Sequence, residues 1–163
     1  MRNGNNMYKI AICDDDVKYL KTLQEMIRQL GDRSLNVRID LYTGGKQFVW
    51  EYQGQYDLII LDIQMPDIDG NTVAEEIRKK DVSAVLAFCT GEVQPSTDSF
   101  KVQPYRYIMK NFDNEVIREE ICACLQEMVK KRRECQVVLT GDGEFRRIPA
   151  TKIVCLKSCK MGL

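Results

Sequence analysis

The sequence contains no histidine, and this absence excludes several kinds of site. A Ser-His-Asp or Cys-His hydrolase needs an imidazole base, so neither mechanism is available to the chain. The seven cysteines lack the spacing of a disulfide framework, and without histidine partners they make a poor zinc site. We therefore expect them to be reduced thiols, which is typical of a cytoplasmic protein.

Long hydrophobic runs and an excess of either charge are also missing. No apolar stretch approaches about 18 residues, so we expect no membrane-spanning helix. Residues 1–6 are polar and lack the apolar core of a signal peptide, which predicts a disordered tail. Lys plus Arg and Asp plus Glu both number 24, so the zero net charge indicates no general attraction to nucleic acid or to a membrane.

Short apolar runs alternate with amphipathic segments along most of the chain. Strands are predicted at 10–13, 36–42, 58–61, 84–89 and 105–109. Helices are predicted at 17–30, in a short stretch opening at Gly44-Gly45, at 71–80, weakly at 91–102, and at 114–134. The alternation predicts an α/β fold, a doubly wound parallel sheet of five strands in the order 2-1-3-4-5.

The pattern changes after residue 134. Two further strands are predicted at 135–140 and 144–156, joined by Gly141-Asp142-Gly143, which favours a short β-hairpin. So few residues cannot bury a core of their own. We therefore expect one domain over 7–134 and, over 135–163, the opening strands of a second domain that the chain does not finish.

Polar side chains stand at the carboxyl ends of the predicted strands. Asp14 and Asp15 follow the first strand, Asp62 ends the third, Thr90 follows the fourth and Lys110 follows the fifth. In the predicted strand order these side chains converge on one crevice, where clustered carboxylates need a cation, and oxygen ligands favour Mg²⁺. A carboxylate there can attack phosphorus to form an aspartyl phosphate, with Lys110 and Thr90 contacting the phosphoryl oxygens.

These landmarks together resemble the receiver domain of two-component response regulators, over about residues 7–134. The motifs are Ile10-Ala11-Ile12-Cys13-Asp14-Asp15, Leu61-Asp62-Ile63-Gln64-Met65-Pro66 through Gly70, Thr90, and Tyr107-Ile108-Met109-Lys110. The resemblance implies a flavodoxin-like fold and a non-enzymatic phosphoacceptor that catalyses only its own phosphorylation and autodephosphorylation. The implied roles are Asp62 as phosphoacceptor, Asp15, Asp62 and the Gln64 backbone carbonyl as direct Mg²⁺ ligands, Asp14 as a ligand through water, Thr90 and Tyr107 as switch residues, and Lys110 as the phosphate-sensing cation.

A subfamily is also indicated by resemblance. Phe100-Lys101-Val102 followed by Tyr107 and Lys110 is similar to receivers attached to LytTR-type DNA-binding domains, and 145–158 resembles the first strands of such a domain. The implied partners are a sensor histidine kinase and, on activation, a second copy of the chain. We expect transcription control in the full-length protein, with DNA contacted only through the missing part of the second domain.

Two positions depart from the family pattern. Asn111 stands where the family usually has a proline in a cis peptide. A cis bond before a non-proline residue costs about 2.5–4 kcal/mol, so we expect a trans bond there. The Gln94-Pro95-Ser96-Thr97 stretch should shorten or loosen the helix after the fourth strand.

Simpler interpretations exist for several of these residues. The run Asp14-Asp15-Asp16 could cap the following helix, a role that fits Asp16 best. Asp67 and Asp69 are interpreted as turn residues. An aspartate-nucleophile phosphatase would need a second acid two residues after Asp62, where the chain has Gln64. The main alternative function is an interaction module of receiver type that does not depend on phosphorylation.

Overall fold

Five strands form one parallel sheet in the order β2-β1-β3-β4-β5, as the sequence predicts. The computed structural model describes residues 7–31, 35–91, 101–134, 136–141 and 144–149. The strands of this sheet are Tyr8–Cys13 (β1), Val37–Tyr42 (β2), Leu58–Leu61 (β3), Val85–Thr90 (β4) and Arg106–Met109 (β5). The helices are Val17–Leu30 (α1), Gly45–Glu51 (α2), Gly70–Lys80 (α3) and Asn114–Glu134 (α4).

The central strands are buried along their whole length. Every residue of β3 and β4 is buried, whereas β2 and β5 at the sheet edges are largely half-exposed. Continuous apolar sequence is what a parallel strand needs when helices cover both faces of the sheet. In the register, Cys13 lies opposite Leu61, and Leu61 lies opposite Phe88. β1 and β3 therefore end at one level and β4 continues two residues further, to Thr90, so the residues at these strand ends share one edge of the sheet.

Helix α1 begins where the sequence predicts, directly after the acidic run. Asp16 is its N-cap, and the Asp16 carboxylate accepts hydrogen bonds from the backbone N–H groups of Lys18 and Tyr19 at 2.9 and 3.2 Å. This confirms the interpretation of Asp16 as the capping residue. Because Asp16 caps α1, Asp14 and Asp15 at the end of β1 do not serve as its N-cap.

Several sequence predictions fall on residues outside the described ranges. These are the tail at 1–6, the Gln94–Thr97 stretch with Phe100, the Asp142-Gly143 turn and everything after Pro149. In the described ranges, every helix is too short or too polar to cross a membrane.

The chain divides into two compact units, Met1–Met128 and Val129–Leu163. In the second unit, Gln136–Gly141 (β6) and Glu144–Pro149 (β7) pair as antiparallel strands, with Val138 opposite Arg147. β6 thus extends to Gly141, one residue past its predicted end.

Candidate functional site

Three carboxylates meet at the carboxyl edge of the sheet. Asp14 and Asp15 follow β1 directly, and Asp62 follows β3. Asp14 and Asp62 are almost completely buried, at 1% and 4% exposure, while Asp15 is exposed. One carboxylate oxygen from each of the three lies within 4.8 Å of the others. The structure therefore brings together the acidic residues that the sequence predicts at one site.

Lys110, which directly follows β5, completes this cluster. Its Nζ lies 2.6 Å from Asp14 Oδ2 and 2.7 Å from Asp62 Oδ2. The Lys110 backbone N–H donates to the carbonyl of Thr90 at 2.9 Å, so the residue continues the β4–β5 pairing. The Lys110–Asn111 peptide bond is trans, as predicted from the absence of proline. We call Asp14, Asp15, Asp62 and Lys110 the acidic cluster.

The charges of the acidic cluster do not balance. Burial disfavours the charged form of Lys110, but hydrogen bonds to Asp14 and Asp62 outweigh this effect and raise the lysine pKa. Burial raises the pKa of Asp14 despite its contact with Lys110. Two buried carboxylates thus share one ammonium, and the exposed Asp15 adds a third carboxylate beside them. Such an excess of carboxylate oxygens fits a hard divalent cation such as Mg²⁺.

The loop after β3 holds Asp62 through close backbone contacts. The Gln64 backbone N–H donates to Asp62 Oδ1 at 3.3 Å, and the Gly70 backbone N–H donates to the carbonyl of Ile63 at 2.8 Å. A Cβ on Gly70 would clash with the backbone carbonyl oxygen of Asp62. Glycine is therefore required at position 70 because α3 begins directly against the backbone that carries Asp62.

The two predicted switch residues lie on neighbouring strands. Thr90 is the last residue of β4, rather than following the strand, and it is fully buried. Tyr107 in β5 lies opposite Phe88 in the register, and their ring centroids are 5.6 Å apart. The Tyr107 ring packs against the hydrophobic core, and its hydroxyl oxygen is buried.

The two aspartates of the β3–α3 loop lie outside the acidic cluster. Asp69 is the N-cap of α3 and accepts the Asn71 backbone N–H at 2.8 Å. Asp67 was predicted as a turn residue, and it also caps a second helix. Its carboxylate accepts the backbone N–H groups of Gly45 and Lys46 at 3.2 and 2.9 Å, and so caps α2 from a distant loop.

Sequence reasoning overlooked two residues beside the acidic cluster, Tyr19 and Cys89. The Lys110 ammonium lies 4.8 Å from the centroid of the Tyr19 ring. The Tyr19 hydroxyl makes a hydrogen bond with Cys89 Sγ at 3.3 Å. No local signal marks these contacts, because Asp15 precedes α1 and Tyr19 reaches Cys89 and Lys110 only once α1 has packed on the sheet.

Comparison with known proteins agrees with this arrangement. Residues 10–122 match the family model described as the response regulator receiver domain. The transcriptional regulatory protein RprY of Bacteroides fragilis is 30% identical over 140 residues, which cover 84% of this chain and 58% of RprY. The chain spans about half the length of the curated relatives that it matches.

Solved structures show the same fold. The response regulator TrrA from Thermotoga maritima, in complex with Mg²⁺ and BeF, is 32% identical with a TM-score of 0.59, over 77% of this chain and 98% of TrrA. A CheY-like receiver domain from Methanospirillum hungatei is 20% identical with a TM-score of 0.64, over 79% of this chain and 99% of that one. The family match covers most of the described sheet and every member of the acidic cluster. The chain belongs to the response regulator receiver domain family.

Proposed function

We propose that Asp62 accepts a phosphoryl group from a phosphohistidine of a partner kinase, with Mg²⁺ as the cofactor. The observation that carries this proposal is the contact of the Lys110 ammonium with Asp62 Oδ2 at 2.7 Å, beside two further carboxylates. Asp62 is held at the end of a buried strand, and the ammonium lies where a phosphoryl group on Asp62 would carry its charge. This is the preorganised electrostatic arrangement that favours transfer of an anionic group.

The transfer needs no second acid from this chain. A bond forms between an Asp62 carboxylate oxygen and phosphorus while the phosphorus–nitrogen bond of the phosphohistidine breaks, and the imidazole leaves with its electron pair. Lys110 neutralises the phosphoryl oxygens and the Thr90 hydroxyl donates to them. Bound Mg²⁺ would neutralise the carboxylates and polarise the phosphoryl oxygens. The residues that would hold it are Asp15, Asp62 and the Gln64 carbonyl, with Asp14 through water.

Phosphorylation would then act as a conformational switch. The added group carries a charge of about −1.5 to −2 at neutral pH, which attracts Thr90 and Lys110. Thr90 ends the strand that pairs with β5, and the Tyr107 ring already packs into the core beside Phe88. We propose that repositioning of Thr90 and Tyr107 changes the face formed by β5 and α4. A second copy of the chain would bind to that face in the phosphorylated state.

The residue two positions after Asp62 argues against rapid turnover of phosphate esters. A phosphatase that uses an aspartate nucleophile places a proton donor two residues later, and here that residue is the exposed Gln64. We propose that this chain catalyses only its own phosphorylation and autodephosphorylation.

The C-terminal residues lead to a further part of the proposal. We propose a receiver domain over 7–134, followed over 135–163 by the opening strands of a LytTR-type DNA-binding domain. The antiparallel pairing of β6 and β7 is compatible with this assignment. Transcription control in the cytoplasm would then be the role of the full-length protein. Whether the gene continues into the remaining strands of such a domain would decide this point.

A thermal-shift experiment with beryllofluoride tests the proposed function. Beryllofluoride imitates a phosphoryl group on a carboxylate, so Mg²⁺ and beryllofluoride together should raise the melting temperature of the wild-type chain. Asp62→Ala should lose this shift, and Asp67→Asn, which changes a carboxylate outside the acidic cluster, should keep it. A shift in Asp62→Ala equal to that of the wild type would show that Asp62 is not the acceptor. No shift in any of the proteins would favour an interaction module that does not depend on phosphorylation.

A further inference from the structure

Tyr19 lies in the first turn of α1, beside the acidic cluster, and is held from two sides. Its backbone N–H donates to the carboxylate of Asp16 at 3.2 Å, which fixes the residue in the first turn of α1. Its hydroxyl reaches Cys89 Sγ at 3.3 Å. Cys89 is buried in β4 and directly precedes Thr90. The ring of Tyr19 therefore has a defined position relative to both β4 and α1.

This position places the ring beside the Lys110 ammonium. The distance from Lys110 Nζ to the ring centroid is 4.8 Å, within the range in which a cation is attracted to an aromatic ring. The Lys110 side chain is only 20% exposed, so water screens the contact weakly. Asp14 Oδ2 and Asp62 Oδ2 form ion pairs with the same ammonium at 2.6 and 2.7 Å. The ring thus adds a third attractive partner that does not compete for the carboxylate oxygens.

We propose that Tyr19 is a positioning residue for the phosphoryl-acceptor site, and this proposal rests on the function proposed above. The ring of Tyr19 keeps the Lys110 ammonium at the acidic cluster when the carboxylates take other partners. Cys89 keeps the ring in place through the Tyr19 hydroxyl. A lysine that is already oriented loses less conformational freedom when it contacts a phosphoryl group, so the ring favours binding of that group.

Two substitutions separate the ring from the hydroxyl. Tyr19→Phe keeps the aromatic face and removes the hydrogen bond to Cys89. Tyr19→Leu keeps apolar bulk and removes the ring, and Tyr19→Met replaces it if the leucine variant does not fold. Tyr105→Leu is the matched control, because Tyr105 is a half-buried tyrosine whose ring lies 4.5 Å from Arg106 Cζ at the other end of β5.

The first measurement uses the metal-free protein and does not depend on phosphorylation. An aromatic ring shifts the NMR signals of protons above its face, so the ε-methylene protons of Lys110 should resonate upfield in the wild type and in Tyr19→Phe. The upfield shift should disappear in Tyr19→Leu and persist in Tyr105→Leu. Persistence of the shift in Tyr19→Leu would overturn the positioning role and leave the proposed function untouched.

The second measurement is the affinity for beryllofluoride at a fixed Mg²⁺ concentration. We expect Tyr19→Leu to bind roughly threefold to tenfold more weakly than the wild type, the range of a partly desolvated cation–π contact. Tyr105→Leu should stay within about twofold of the wild type, because it keeps the Tyr19 ring and its hydroxyl. Tyr19→Phe keeps the ring but loses the hydrogen bond to Cys89, so its affinity should fall between those of the wild type and Tyr19→Leu. Equal affinities of Tyr19→Leu and the wild type would overturn the inference. Absence of binding by the wild type itself would instead overturn the proposed function.

Discussion

Asp62 and Asp81 are two aspartates of the same domain with opposite surroundings. Asp81, the C-cap of α3, accepts hydrogen bonds from the Tyr52 hydroxyl at 2.8 Å, from the Ser83 hydroxyl and N–H at 2.6 and 2.7 Å, and from the Ala84 N–H at 3.3 Å. All of these donors are neutral. Asp62 instead shares one ammonium with Asp14 and lies near Asp15.

The carboxyl pKa of Asp81 and that of Asp14, which shares the Lys110 ammonium with Asp62, shift in opposite directions. Burial opposes ionisation of Asp81, but the hydrogen bonds from Ser83 and Tyr52 outweigh it and lower the carboxyl pKa. Burial raises the pKa of Asp14, the partner of Asp62 on Lys110. The Asp81 carboxylate, with neutral hydrogen-bond donors and the Arg78 guanidinium nearby, stabilises the fold. The carboxylates of the acidic cluster outnumber their one ammonium and so remain available to a metal ion. The contrast is the one expected between a structural aspartate, Asp81, and the proposed functional one, Asp62.

Substitution of the two aspartates should give the largest difference. We expect Asp62→Asn to abolish binding of beryllofluoride while it lowers the free energy of unfolding by no more than about 1 kcal/mol, because it removes one of several crowded like charges. Asp81→Asn should bind beryllofluoride like the wild type. Titration with beryllofluoride and chemical unfolding of both variants provide the measurements. Equal beryllofluoride binding by Asp62→Asn and Asp81→Asn would contradict the proposed difference between the two aspartates.

Removal of the Lys110 ammonium should lower the stability of the metal-free protein, because the charges left in the acidic cluster are all negative. Lys110→Met leaves Asp14 and Asp62 buried without a cation, and breaking a buried pair in this way costs about 3–5 kcal/mol. Without metal, we expect the variant to be destabilised by up to this amount. Added Mg²⁺ should stabilise the variant more than the wild type, because no ammonium competes for the carboxylates. Unfolding curves with and without Mg²⁺ measure both effects, and an unchanged stability without metal would contradict the account.

The backbone below Asp62 should be sensitive to a single methyl group. A Cβ on Gly70 clashes with the Asp62 carbonyl oxygen, while a Cβ on Gly91, just after Thr90, meets no atom within 4 Å. We expect Gly70→Ala to lower the free energy of unfolding by about 1–3 kcal/mol, the usual cost of overpacking, and to weaken beryllofluoride binding. Gly91→Ala is the matched control and should change neither quantity. Similar unfolding curves for the two variants would show that the loop adapts to the methyl group.

The smallest predicted effect is the pH dependence of stability at Asp81. Because folding lowers the Asp81 pKa, its contribution is complete above the unfolded pKa and is lost as the pH falls through the folded value. The wild type should therefore exceed Asp81→Asn in stability by about 1 kcal/mol at neutral pH. This difference should shrink below about pH 4. A difference that stays constant down to pH 3 would rule out ionised Asp81 as its source.

Local and periodic features of the sequence predicted most of the fold. The continuous apolar runs of β3 and β4 identified the central strands, and their burial confirms this. The cap at Asp16 depends only on the next three residues, so it was predictable. The acidic cluster followed from strand order, because parallel strands bring their carboxyl ends together. The individual roles of its residues remain predictions.

What the sequence did not predict depends on contacts between distant elements. Asp67 caps α2, more than 20 residues earlier in the chain, and Gly44 at that helix start has no side chain to do so. The contacts of Tyr19 with Cys89 and Lys110 join α1, β4 and the end of β5. No local pattern marks such pairs, since they exist only after the helices have packed on the sheet.

The central claim is that Asp62 is the phosphoryl acceptor, and covalent labelling tests it most directly. The chain is incubated with Mg²⁺ and a small phosphodonor such as phosphoramidate and then reduced with borohydride, which converts an aspartyl phosphate into homoserine. Peptide mass spectrometry should then find homoserine at position 62 and aspartate at positions 14, 15 and 81. Homoserine at another position, or at none while the donor is still intact, would contradict the account.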